Sequence, residues 1–253
     1  MSKFCANGHQ IEDSWEVCPY CRMNKPSSTW LKYWLTRVGE HMSAGASTRL
    51  NDVVNYLEIG RWMREQGYDT SHRVHEDSRD QIFDLIAQRV KDKVVLYLEF
   101  GVYMGHATRY WSKALRNPQS NLHGFDSFEG LPEDWGQKWP KGMFSTQGQI
   151  PQIDDPRVKF FKGWFEQSLA DYELPPHEVL VVNFDADLYS STMFVLERLK
   201  DAIVPGTYLY FDEFHDKPHE FRAFNEFRLA TGMKFDLIGL SRGMQRVVFQ
   251  RTA

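Results

Sequence analysis

Carboxylates do chemistry when they end a buried segment, and this chain has several so placed. Glu99 sits at the end of an apolar run in the turn Glu99-Phe100-Gly101-Val102-Tyr103-Met104-Gly105, and Asp126 closes the next run. A dinucleotide-binding turn would need G-x-G-x-x-G to admit a pyrophosphate. Here an acid stands where phosphates would be repelled. The turn suits a cofactor with a cationic amino group and no phosphate, while Asp126 can accept hydrogen bonds from ribose hydroxyls. An adenosine joined to an amino acid fits both demands better than NAD.

Two further acidic groups follow later runs: Asp185-Ala186-Asp187, and Asp212-Glu213. Oxygen-only ligands suit magnesium, manganese or calcium. An ion held beside a methyl donor would lower the pKa of a hydroxyl and make it a better nucleophile. Asp185, Asp187, His215 and His219 all remain open as the proton acceptor, since a histidine in a loop is usually solvated. The Asp-Ala-Asp run also occurs in metal-dependent glycosyltransferases, the alternative enzyme class. A non-catalytic scaffold binding S-adenosylmethionine (SAM) is the third reading.

A separate cluster lies at the start, where Cys5, His9, Cys18 and Cys21 are spaced C-x3-H-x8-C-x2-C. Thiolates with imidazole suit tetrahedral zinc, and four protein ligands leave no open position for catalysis. The expectation is a zinc-ribbon-like module with structural Zn2+, its folding driven by the metal and its role that of a protein contact. All three cysteines fall in this stretch, and no export signal precedes them, which argues against a disulfide framework.

These residues need elements to position them. Continuous apolar runs at 94–100, 122–126, 158–161, 179–185 and 207–212 predict buried parallel strands, because both faces of such strands are covered. Helical periodicity is expected at 49–68, 77–90, 106–115 and 220–230, and in a helix after 189 capped by Ser190 or Ser191. An amphipathic turn is read at 30–35 and a loop of small residues between Gly39 and Thr48. Strands at 234–240 and 245–250, joined by Ser241-Arg242-Gly243, predict a closing antiparallel hairpin. Alternating strands and helices imply a doubly wound sheet whose ligands lie beyond the carboxyl ends of the strands. Glu99, Asp126, Asp185 and Asp212 should therefore face one crevice. Trp135, Trp139 and Phe144, in the connection 131–156, are candidates for a substrate lid. Domains are expected at 1–26 (zinc module), 27–92 (linker and helices) and 93–253 (catalytic).

With 42% hydrophobic residues the chain can bury a sizeable core, and its net charge of −4 argues against nucleic acid as a partner. No run reaches membrane-spanning length, so a cytoplasmic protein is expected. The Trp-rich N-terminal helices could supply a homo-oligomer interface.

From about residue 73 to 227 the chain resembles the TylF/MycF-like (macrocin O-methyltransferase) family of class I SAM-dependent methyltransferases. The motifs that carry it are Leu98-Glu99-Phe100-Gly101-Val102, Gly124-Phe125-Asp126-Ser127-Phe128-Glu129-Gly130-Leu131-Pro132-Glu133, Lys162-Gly163-Trp164-Phe165, Asp185-Ala186-Asp187-Leu188-Tyr189-Ser190-Ser191-Thr192 and Phe211-Asp212-Glu213-Phe214. Five motifs in order are far more specific than any one. The resemblance implies an α/β, Rossmann-like seven-stranded methyltransferase sheet with helices on both faces. It also implies magnesium-dependent O-methylation of a small-molecule hydroxyl, often on a sugar. By motif, Glu99, Gly101, Asp126 and Ser127 would bind SAM, with Gly105, Thr108, Gly163 and Trp164 beside it. Asp185, Asp212 and Glu213 would hold Mg2+ (or Mn2+). The family commonly pairs two aspartates where this chain has Asp212-Glu213, and His106 replaces a usual small residue.

Overall fold

The structure, a computed structural model, describes residues 3–4, 10–11, 29–71, 74–75, 78–136 and 138–253. The zinc-ligand set Cys5, His9, Cys18 and Cys21 lies outside the described residues. The chain divides into two compact units, Met1–Val53 and Val54–Ala253.

In the first unit, strand β1 (Lys3–Phe4) pairs antiparallel with β2 (Gln10–Ile11). Helix α1 (Thr29–Glu40) extends well beyond the expected turn at 30–35, and α2 begins at Ala44 and runs to Glu65. The loop expected between Gly39 and Thr48 is thus mostly helix. Alanines favour helix, and Ser43 Oγ accepts the Ala46 amide at 3.2 Å as an N-cap does.

The second unit is built on an eight-stranded sheet in the order β3-β9-β10-β8-β7-β4-β5-β6. Its strands are β3 (Val74–His75), β4 (Val95–Phe100), β5 (Asn121–Asp126), β6 (Val158–Lys162), β7 (Val179–Phe184), β8 (Tyr208–Phe211), β9 (Phe235–Ser241) and β10 (Val247–Arg251). The seven expected strands are all present, and the two-residue β3 adds a parallel edge on β9. Only β10 runs against its neighbours, pairing antiparallel with β8 and β9.

Alternation along β4 explains the two-layer core. Leu96, Leu98 and Phe100 pack into one apolar cluster with Ile59, Trp62 and the phenylalanines of the chain's second half. Val95 and Tyr97 belong to a second cluster with Ile82, Phe83, Ile86 and Trp111. These clusters draw on α3 (Arg79–Val90), α4 (His106–Ala114), α6 (Tyr189–Leu199) and α7 (Arg222–Thr231), with the short α5 (Phe165–Ser168) following β6. The compact unit therefore reaches back to Val54, well before residue 93, because Ile59, Trp62 and Met63 complete its core. The expected cap of α6 is different: Leu188 stands at the N-cap, and Ser190 Oγ instead donates to Glu133 Oε1 at 2.7 Å.

β5 and β6 lie to one side of β4, while β7 and β8 lie to the other. The order in which successive strands are added reverses there, and loops from both sides diverge to leave a crevice at the strands' carboxyl ends. Gly101 makes that point close enough to work. Its φ is +94°, and a Cβ there would come within 1.9 Å of the Asp185 carbonyl oxygen.

Candidate active site

A cavity of about 680 Å³ opens over this crevice, and Glu99, Asp126, Asp185 and Asp212 all line it. Gly101, Ser127, Gly163, Trp164, Asp187 and Glu213 line it too. Gly105 and Thr108 serve it from behind. Gly105 is the left-handed N-cap of α4, packed near Pro151, and Thr108 reaches Glu99.

Glu99 is 1% exposed. Its Oε2 accepts the Thr108 hydroxyl at 2.6 Å and the Tyr97 hydroxyl at 3.1 Å, and Asn183 Nδ2 in turn donates to the Tyr97 oxygen at 2.9 Å. Burial pushes the Glu99 carboxyl up to about 8, against the pull of Thr108 and with a further push from Asp185. A cationic ammonium brought to such a carboxyl would restore its charge, which is the fit SAM requires. Asp126 organises the neighbouring loops: Oδ2 accepts the amides of Val102 and Tyr103, both at 2.8 Å, and Oδ1 that of Phe128 at 2.7 Å. A carboxylate has about four acceptor sites, so room is left for a ribose hydroxyl.

The other acids are crowded. Burial and Asp212 raise Asp185, while Arg79 pulls it down. Burial, then Asp185, pushes Asp187 up to about 9. Asp187 also holds a left-handed backbone, φ +59°, as do Tyr103 and Phe144 on the same cavity. Burial raises Glu213 to about 7. Glu220, fully buried, accepts the Glu213 amide through Oε2 at 2.9 Å, and burial followed by Asp187 drives its pKa well up.

Sequence reasoning missed the group among these acids that carries the positive charge. Arg79, the first residue of α3, places Nη1 3.0 Å from Asp185 Oδ2 and Nη2 2.5 Å from Asp212 Oδ2. Arg246 Nε meets Asp212 Oδ1 at 3.2 Å, and the Tyr210 hydroxyl donates to the same oxygen at 2.5 Å. The only signal for Arg79 was a cation in the first turn of a helix, where the helix dipole favours an acid.

By type, Asp185, Asp212 and Glu213 suit a hard divalent ion; by placement they do not. Asp212 is filled by Arg79, Arg246 and Tyr210, and Glu213 turns to Gln245 (2.7 Å) and His215 (3.2 Å). Among the described residues no three His, Cys, Asp or Glu side chains converge as a metal would need. His215 stands outside the cavity lining, against Glu213 and stacked 6.0 Å from Tyr56. His219 Nδ1 accepts the Tyr189 amide at 3.2 Å.

Trp135 and Phe144 line the cavity together with Lys141. This wall is tied down: Trp135 Nε1 donates to Asp216 Oδ2 at 2.7 Å, and Trp139 packs on Phe144 with ring centroids 5.4 Å apart.

A mixed sheet with acids at the ends of two adjacent central strands over one cavity fits the class of SAM-dependent methyltransferases. Within it, the chain belongs to the macrocin-O-methyltransferase (TylF) family, whose model matches residues 58–249. It is 32% identical to a demethyldecarbamoylnovobiocin O-methyltransferase of Streptomyces niveus, over 75% of this chain and 80% of that one. It is 25% identical to an 8-demethyl-8-(2,3-dimethoxy-alpha-L-rhamnosyl)-tetracenomycin-C 4'-O-methyltransferase of Streptomyces olivaceus, over 49% of this chain. That match spans 57% of the Streptomyces olivaceus enzyme. Among solved structures, the O-methyltransferase NovP matches with a TM-score of 0.50 and 25% identity, over 69% of this chain and 78% of its own. The calicheamicin methyltransferase CalS11 shares the fold, with a TM-score of 0.53 and 20% identity over 68% of this chain and 76% of its own.

Proposed function

We propose that the chain methylates a hydroxyl of a sugar or glycosylated natural product, using SAM as donor. The observation that carries this is a single cavity running from Glu99 and Asp126 to Asp185, Asp187 and the Trp135–Phe144 wall. One end has the acids that suit an adenosyl amino acid; the other has the mixed aromatic and polar surface that suits a sugar. The names of the Streptomyces relatives support a glycosidic acceptor.

When bound, SAM supplies an electrophilic methyl group on a positively charged sulfur. Glu99 would hold its ammonium and Asp126 its ribose, with the Gly101, Ser127, Gly163 and Trp164 backbone and ring around them. Asp187 is the carboxyl that would take the acceptor's proton in its ionised form, a minor form at neutral pH given its pKa of about 9 but one that the positive charge of bound SAM would favour, since Asp185 is paired with Arg79 and His215 lies outside the lining. SAM would supply the methyl group to the acceptor oxygen and leave as the neutral thioether, while the acceptor's proton would pass to ionised Asp187. The aromatic wall would exclude water from this exchange.

Incubation with methyl-labelled SAM and a panel of rhamnosides and other glycosides tests the reading. Label transferred to a sugar oxygen, lost in Asp187→Asn, supports it; label on nitrogen, or on none of the sugars but on a phenol, would replace the substrate class.

The proposal also includes a structural zinc at Cys5, His9, Cys18 and Cys21, supported by ligand type and spacing; metal analysis should find about one zinc per chain. Exposed Leu31, Tyr33, Trp34 and Leu35 on α1 support self-association, which sedimentation at two concentrations checks.

A further inference from the structure

Arg79 is where it is against two local preferences. A helix N-terminus disfavours a cation, and burial disfavours any charge. Both penalties are met by the ends of β7 and β8, which offer one carboxylate to each amino group of the guanidinium. Arg79 lines the cavity, with its side chain 27% exposed, while Asp212 is only 2% exposed. The guanidinium already holds one oxygen of each of two carboxylates whose type would suit a divalent ion. Arg246 and Tyr210 close the remaining side of Asp212 at its Oδ1.

We propose that Arg79 is the resident cation of the acceptor site, a catalytic residue that occupies the wedge between Asp185 and Asp212 in place of a divalent ion. This rests on the methyl-transfer reading above. A guanidinium has five N–H donors, so two carboxylate contacts leave others to face the cavity. Those donors orient the acceptor hydroxyl and stabilise negative charge as it builds on the oxygen, the service expected of a metal. Asp185 and Asp212, in turn, fix the guanidinium rather than an ion. Glu213, longer than the aspartate common at this place in the family, is free of the wedge and bonds Gln245 instead.

The test is manganese uptake by the full chain, followed by electron paramagnetic resonance of the free ion, with SAM binding measured by calorimetry on the same samples. Wild type should take up no stoichiometric Mn2+ at a concentration where Arg79→Ala takes up an ion, a gain in affinity of about tenfold or more once the buried carboxylates lose their partner. Asp185→Asn added to Arg79→Ala should abolish that gain, and Arg79→Lys, which keeps the charge, should stay like wild type. One Mn2+ per wild-type chain, lost in Asp185→Asn, overturns the proposal, and so does an Arg79→Ala chain that gains nothing. Should Arg79→Ala lose its fold, as loss of its melting transition would reveal, Arg79→Gln takes its place, and the wild-type arm decides without any variant. Failure of wild type to bind SAM would count against the methyltransferase reading instead and leaves the manganese result to judge Arg79.

Discussion

Glu99 shows how one side chain can bind a cation only by giving up a proton. Its carboxyl is raised to about 8 by burial, so in the ligand-free protein at neutral pH it is largely protonated. An ammonium binds the ionised form, and binding must therefore release a proton below about pH 8 and stop doing so above it. Calorimetry of SAM binding at pH 7 in buffers of different ionisation enthalpy should report that release. Glu99→Gln should erase the buffer dependence and weaken SAM binding by about 10- to 100-fold, the range for a charged hydrogen bond. Equal proton release in the Gln variant would assign the effect to another acid.

At the scale of elements, the site depends on how closely β4 and β7 end together. Gly101 combines φ +94° with an Asp185 carbonyl oxygen 1.9 Å from where a Cβ would lie. Gly206, with φ +100° and nothing within 4 Å, isolates the backbone strain alone. Urea unfolding should show Gly206→Ala losing about 1 kcal/mol, and Gly101→Ala losing well over about 2 kcal/mol because the strand ends must also part. Similar losses at the two positions would mean that the close approach costs little. The elements were largely legible, since fully buried β4 and β7 read as apolar runs interrupted only by Glu99 and Asn183 near their ends. The end of α1 and the first turn of α2 were not, because residues 36–48 are mostly small or polar and offer no apolar period to read.

For the molecule as a whole, acid stability turns on His123 in β5. It is 4% exposed, with Nδ1 2.6 Å from the Tyr172 hydroxyl and Nε2 buried without a partner. Burial, then Lys159, lowers its pKa from 6.5 to about 4. Because the folded value is depressed, stability is full above the unfolded pKa and is lost as pH falls from 6.5 towards 4, by up to about 3 kcal/mol. Thermal melts across that window should fall steeply for wild type and less for His123→Phe; parallel curves would place the acid sensitivity elsewhere.

The sequence by itself determined seven of the sheet's eight strands, the parallel course of its core and the gathering of Glu99, Asp126, Asp185 and Asp212 on one crevice, because buried strands must be apolar and strand ends in such a sheet share one edge. Only the tertiary structure decided what those carboxylates face. Arg79 and Asp212 lie 133 positions apart, and Trp135 and Asp216 lie 81 apart. Such pairings leave no local periodicity, since they depend on where α3 and the 131–156 connection pack against the sheet. The exclusion of His215 from the cavity has the same origin: its ring turns to Glu213 and Tyr56 once α2 is in place beside it.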